Sequence, residues 1–195
     1  NLKQWGVAEQ LYGNDNADYV ARTLSRPDGK YYFWHVDTSS AVNDTQRKSN
    51  NYPLSPYVPV QMALKLRFCP SYRLPPGKTR DYFSSYGRSV AYGHEYVKSG
   101  SDPYAFYVKF VQLKHPSNLL MTLDSPHNTP AFESRNEYIH DPSASYFKIA
   151  LRHQNRANML FAGGQVESHL HTDVTGKDVG PHPGSTYAWF VYKVN

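Results

Sequence analysis

The stretch Arg152-His153-Gln154-Asn155-Arg156-Ala157-Asn158-Met159-Leu160-Phe161-Ala162-Gly163-Gly164-Gln165-Val166-Glu167-Ser168 reads as a β-hairpin. Ala157 to Ala162 is an apolar run of strand length, and Gln165 to Ser168 alternates polar and apolar residues. Gly163-Gly164 between them predicts a two-residue turn, because two glycines accept positive φ at both central positions of a twist-matched hairpin. His153 stands ten residues ahead of Gly163, flanked by Arg152 and Arg156.

Working outward, Tyr146 to Leu151 leads into the hairpin, and Asn118 to Asp124 is a second apolar run expected to be a central strand. Phe106 to Val111 is a further strand candidate, closed by His115-Pro116-Ser117. Leu64-Lys65-Leu66-Arg67-Phe68 alternates strictly and predicts a half-buried strand. Three prolines between Tyr52 and Pro59 exclude a regular helix there. Residues 70–105 and 125–145 read as loops, with Tyr82 to Gly87 inside the first. Leu170 to Gly184 reads as a Gly/His/Asp loop, and Thr186 to Tyr192 as a final aromatic strand. The helix candidate is residues 1–19, where Leu2, Trp5, Ala8 and Leu11 or Tyr12 make one apolar face and Gly13 to Asn16 a fraying end. One helix followed by strands predicts an α+β fold, an N-terminal helix packed on an antiparallel sheet with long loops. The chain divides into helix (1–19) and sheet with loops (20–195), a single domain with no internal repeat.

Composition supports that division. Seventeen Tyr, 9 Phe and 3 Trp offset a hydrophobic content of only 39%, because a Tyr ring buries while its hydroxyl stays near water. The net charge of +5 permits attraction to acidic partners, yet nowhere do five Lys or Arg run together, which argues against nucleic acid.

No phosphate-binding glycine loop, dinucleotide fingerprint or nucleophile elbow is present. Cys69 is the only cysteine, so it forms no disulfide within this chain. A buried or disulfide-forming thiol is its ordinary role, and a Cys–His pair would have to form in space. His169 and His171 share a face if their strand continues, and with Asp173 offer metal-ligand types, although the spacing matches no strong template. A metal-dependent enzyme using His153, His169 and His171 is the remotest of the functions considered. The aromatic segments around Tyr31-Tyr32-Phe33-Trp34 and Tyr104-Phe106-Tyr107 have the makings of a sugar-stacking platform, with Tyr32 and Trp34 as the stacking rings. The core and edge of a Tyr-rich sheet are the favoured account of them.

Asn1-Leu2-Lys3-Gln4-Trp5-Gly6-Val7-Ala8-Glu9-Gln10-Leu11-Tyr12 resembles the N-L-K-Q-(I/L)-G-L-A-x-x-x-Y segment of type IV pilin-like proteins, specifically the bacterial prepilin-type proteins with an H-x9-DG region. Asn14 to Tyr19 is similar to the D-x-N-x-x-Y continuation of that family, Phe68-Cys69-Pro70-Ser71 to its F-x-C-P-S element, and Ser85-Tyr86-Gly87 to its S-Y-G segment. His115 to Asp124 resembles its P-S-x-x-(apolar)-D strand, and His153 with Gly163-Gly164 falls on the H-x9-DG positions. The matches run in order from residue 1 to about 168, with Gly163 standing where the family has Asp.

The resemblance implies a pilin-like fold and a non-enzymatic role, without cofactor or metal. It implies a subunit anchored in the inner membrane by an apolar helix upstream of Asn1. Its domain would lie in the periplasm or at the cell surface, among pilin-like subunits or secretion machinery of a type II-like system. It makes His153, Asn158, Gly163 and Gly164 a structural signature. It also implies a Cys shortly before Asn1 as the partner of Cys69. The competing expectation is a carbohydrate-binding module on a similar anchor, gripping polysaccharide through Tyr32 and Trp34.

Overall fold

The computed structural model describes residues 1–21, 24–25, 32–33, 52–73, 85–88, 108–113, 115–124, 150–170, 174–181 and 188–194. Helix α1 spans Leu2–Asp15 and helix α2 spans Val60–Leu66. Strands β1 (Leu24–Ser25) and β2 (Tyr32–Phe33) pair antiparallel. Strands β3 (Tyr86–Arg88), β4 (Leu120–Asp124), β5 (Arg156–Phe161) and β6 (Val166–Leu170) form one antiparallel sheet in that order. A third antiparallel pair joins β7 (Val174–Pro181) to β8 (Ala188–Val194). The fold is α+β, an N-terminal helix with a four-stranded antiparallel sheet.

Helix α1 forms because its buried residues Leu2, Trp5, Gly6, Ala8, Glu9 and Gly13 recur three to four apart. Trp5 is fully buried, and its indole N–H donates to the carbonyl of Leu66 at 3.4 Å, tying α1 to α2. Truncating a buried ring of this size costs about 3–5 kcal/mol. Gly6 permits the close approach of α1 to the sheet. A Cβ there would meet Leu160 Cδ1 at 2.8 Å and the carbonyl O of Gly164 at 3.3 Å. Gln10 Nε2 donates to the carbonyl of Ala162 at 3.1 Å, so the helix rests on the tip of the β5–β6 hairpin. The helix ends at Asp15 rather than at residue 19. Ala17 and Asp18 adopt φ of 52° and 68°, and Asn16 Nδ2 donates to the carbonyl of Tyr12 at 2.8 Å.

All five residues of β4 are buried, as a central strand requires. Its pairing with β5 carries an irregularity between Leu120 and Thr122. The core joins Leu2, Trp5 and Ala8 of α1 to Ala63 and Leu66 of α2 and to Met121 and Leu160 of the sheet.

Several expectations are corrected. Leu64–Phe68 is not a strand: Pro59 precedes a helical turn, and Val60, Ala63 and Leu66 bury one face at a spacing of three. A five-residue alternation fits either period, and tertiary packing selects the helix. Phe110–Gln112 is a 3₁₀ turn, not strand, although Lys109 bridges Tyr19 just before it. Tyr86–Arg88 and Val174–Pro181, read as loop, are strands. The β5–β6 turn has three residues rather than two. Gly164 N–H donates to Phe161 O at 2.9 Å and Phe161 N–H to Gln165 O at 3.0 Å, with Gly164 alone at positive φ, 87°. A left-handed residue closing a three-residue loop gives the strands the same twist as the expected turn.

Candidate functional site

The two-residue turn with left-handed central residues occurs at a different place. Gln154 and Asn155 have φ of 53° and 62°, and His153 and Arg156 exchange both backbone hydrogen bonds at 3.0 Å. Neither central residue is glycine, and a side chain in this region costs about 1–2 kcal/mol. The turn fixes His153 just before β5 and aims its ring at the end of β4.

There the imidazole meets two partners. His153 Nε2 lies 3.2 Å from Cys69 Sγ and 3.2 Å from Asp124 Oδ2. The three donor atoms are all within 4.8 Å of one another. Asp124 is fully buried, Cys69 is 3% exposed, and the His153 side chain is 26% exposed. The site is thus closed by Cys69 and Asp124 and open at the histidine.

Each donor is held from a different element. Cys69 follows α2, and its backbone N–H donates to Ser85 Oγ at 2.5 Å, just ahead of β3. Tyr86 of β3 pairs with Asp124 across the sheet and hydrogen bonds the Cys69 side chain with its own. Asp124 ends β4, and its Oδ2 accepts from the backbone N–H of Asn158 at 2.9 Å. Its Oδ1 accepts from Arg152 Nη1 at 3.3 Å, and that nitrogen also donates to the carbonyl of Ser85 at 3.0 Å. The Arg152 guanidinium lies over the Tyr72 ring, 5.0 Å from its centroid.

Burial pushes the Asp124 carboxyl above its usual range, opposed first by the Asn158 N–H and then by Arg152 and His153. Burial, and after it the charge of Asp124, also pushes the Cys69 thiol up. A nucleophilic cysteine needs the opposite shift. The contacts differ from a nucleophilic triad as well, in which the carboxylate holds one ring nitrogen and the nucleophile faces the other. Here both partners face Nε2. What the arrangement does offer is a thiol, an imidazole and a carboxylate converging on one point, the donor set that suits zinc-type ions.

Of the residues singled out from sequence, the fold brings together His153, Cys69 and, through its backbone, Asn158. Gly163 and Gly164 lie at the far end of β5, in the hairpin tip under α1. Gly163 N–H donates to Pro116 O at 3.0 Å, and Gln165 Nε2 to Ser117 O at 2.6 Å. Cys69 is a free thiol beside the start of α1, where Asn1 Nδ2 donates to the carbonyl of Phe68 at 2.6 Å. His169 is buried with its Nε2 2.9 Å from Glu167 Oε2 and its ring edge-on to Phe161. His171, Asp173 and Trp34 lie outside the described residues, as do Tyr31, Tyr104, Phe106 and Tyr107. Tyr32 is described only as a residue of β2.

Asp124, Arg152 and Tyr86 escaped sequence reasoning as site residues. One signal was available: Asp124 is the charged residue closing an otherwise apolar central strand, and a buried carboxylate there needs partners. Compared with protein-family models, with curated proteins and with solved structures, the chain matches none.

Proposed function

We propose that this chain is the extracytoplasmic domain of a pilin-like subunit, non-enzymatic, anchored in the membrane or packed into a filament by an apolar helix ahead of Asn1. The reading covers a type IV pilin-like subunit and a pseudopilin of a type II secretion-like system alike. Among the described residues no helix is long and apolar enough to cross a membrane; the anchoring helix ahead of Asn1 is what the family resemblance implies.

One observation carries the reading. The separate segments that resemble the pilin-like family touch one another. Asn1 bonds Phe68, Cys69 bonds Ser85, and Asp124 meets His153. Gly163 bonds Pro116, and Gly6 packs on Leu160 and Gly164. Chance matches spread along a chain have no reason to coincide with its long-range contacts. Segments that specify a common scaffold do, because their side chains are the ones the scaffold buries and pairs. Helix α1 lying along β5 with its first residue beside the Phe68–Ser71 loop also suits a domain hung from the end of a longer helix.

The test is cell fractionation of the full gene product in its bacterial host, with protease added to spheroplasts. The expected result is membrane association with this domain digested in intact spheroplasts. A soluble product protected inside the cytoplasm overturns the proposal.

A further inference from the structure

We propose that Cys69 Sγ, Asp124 Oδ2 and His153 Nε2 form a binding site for a zinc-type divalent cation, cross-tying the loop after α2, the end of β4 and the approach to β5. The inference stands on geometry and needs Cys69 as the free thiol seen here, in place of the disulfide to an upstream Cys that the pilin-like resemblance implies.

The separations fit. Ligand bonds of about 2.3 Å to sulfur and about 2.0–2.1 Å to nitrogen or oxygen in a tetrahedral site place the donors about 3.3–3.6 Å apart. The two contacts of Nε2 here are 3.2 Å each, a few tenths of an ångström short of that spacing. The third pair, Cys69 Sγ and Asp124 Oδ2, lies within 4.8 Å. The donor set is selective as well, since thiolate and imidazole favour zinc over magnesium or calcium, which take oxygen ligands.

Nε2 faces both partners at equal distance. Oδ2 accepts from Asn158 N–H and keeps a second lone pair for a cation. A cation lets all three lone pairs point at one centre. On binding, the thiol proton passes to solvent and the imidazole hydrogen sits on Nδ1, leaving thiolate, carboxylate and neutral ring against a divalent charge.

The surroundings are those of a supported site. Arg152 holds Asp124 through Oδ1, the oxygen left out of the cluster, and is itself held by Ser85 O. Such outer partners orient the ligands and typically set affinity by about 10–100-fold. The paired left-handed residues Gln154 and Asn155 lock the backbone beside His153, local strain of the kind that collects at binding sites. His153 supplies the entry, as the most exposed of the three ligands. The sequence hides the site because Cys69 and His153 lie 84 residues apart and Asp124 stands between them.

The test is titration of the reduced chain with Co²⁺ and then Zn²⁺. The expected result is one equivalent of bound cobalt with a thiolate-to-cobalt charge-transfer band, bleached by one equivalent of zinc. His153→Ala and Cys69→Ser abolish the band, and Arg152→Gln weakens cobalt binding by about 10–100-fold. Circular dichroism is recorded on every variant. If Cys69→Ser fails to fold, His153→Ala decides, since its ring is the partly exposed one. A folded wild-type chain that gives no band overturns the proposal. So does a band that survives His153→Ala, which would mark adventitious binding to the thiol. A Cys69 found in a disulfide in the native protein overturns it too.

Discussion

At its C-terminal end β3 presents Arg88 to Glu9 of α1; at its N-terminal end Ser85 and Tyr86 meet Cys69, Asp124 and Arg152. Both places bury polar side chains against the same strand, and they treat them differently. Glu9 and Arg88 are a pair of opposite charges, almost wholly buried, with the guanidinium also donating to the carbonyl of Ala21. There the protein sets one of its own charges against the other. At the other end, three groups that each offer a lone pair face one another, and one of them reaches the surface. Complementary charge makes a structural lock; convergent donors with an opening make a receptor for a cation. Burial alone does not separate the two. The sign and direction of the lone pairs do.

The largest effect should come from breaking the lock. Arg88→Met leaves the Glu9 carboxyl buried without its cation and should cost about 3–5 kcal/mol in urea unfolding. The double variant Glu9→Leu/Arg88→Met should recover most of it, because a well-packed apolar pair often replaces a buried ion pair without loss. An Arg88→Met chain within about 1 kcal/mol of wild type would show that the lock is not one.

At the other cluster the cost depends on metal. His153→Ala in chelator should lose only about 1–2 kcal/mol, the value of a partly exposed hydrogen-bonded group. Zinc should widen the gap by stabilising the wild type alone, by about 2.7 kcal/mol at a hundred times the dissociation constant. Equal zinc stabilisation of both chains would erase the distinction drawn between the two ends of β3.

Glu9 gives a pH test of the lock. Burial raises its carboxyl in the folded state, with Arg88 opposing that rise. A raised folded pKa means the fold holds the proton more tightly than the unfolded chain does. The resulting stabilisation is full below the ordinary glutamate range and lost as pH rises through the folded value. Relative to Glu9→Gln, wild type should therefore lose stability on going from about pH 4 toward neutrality. A flat difference across that range would mean that Arg88 offsets the desolvation of the carboxyl in full.

Smaller effects sharpen the account of the two turns that border β5. Gln154→Gly should stabilise the chain by about 0.5 kcal/mol, the relief of left-handed strain exceeding the added backbone entropy. Gly163→Asp, which restores the pilin-like family's residue, should change stability by less than about 0.5 kcal/mol. The Cβ it adds would contact the movable Gln165 side chain at 2.5 Å and the backbone N of Ser117 only at 3.4 Å.

The helix-on-sheet plan was legible because α1 and the β5–β6 hairpin carry long, unambiguous patterns. Leu2, Trp5 and Ala8 repeat at helical spacing, and Ala157–Ala162 is a continuous apolar run. Helix α2 was not legible, because five alternating residues satisfy a strand as well as a short helix, and the burial of Val60, Ala63 and Leu66 in the core decides between them. Strands β3 and β7 were missed because their residues are Gly-bearing and polar, and pairing rather than composition makes them strands. His153 and Cys69 were singled out separately, and nothing in their spacing joined them. Their meeting depends on the β4–β5 register and on a left-handed turn at Gln154-Asn155, a conformation these side chains do not announce. The register of a sheet and the exceptional dihedrals of a turn are properties of the folded whole, and the site was built from both.

The most direct test of the central claim is X-ray absorption at the zinc edge on the zinc-loaded, reduced chain. The account predicts one sulfur scatterer at about 2.3 Å together with nitrogen and oxygen scatterers at about 2.0–2.2 Å, including the outer-ring signal of a single imidazole. A shell of oxygen and nitrogen without sulfur, or sulfur without imidazole, would contradict it.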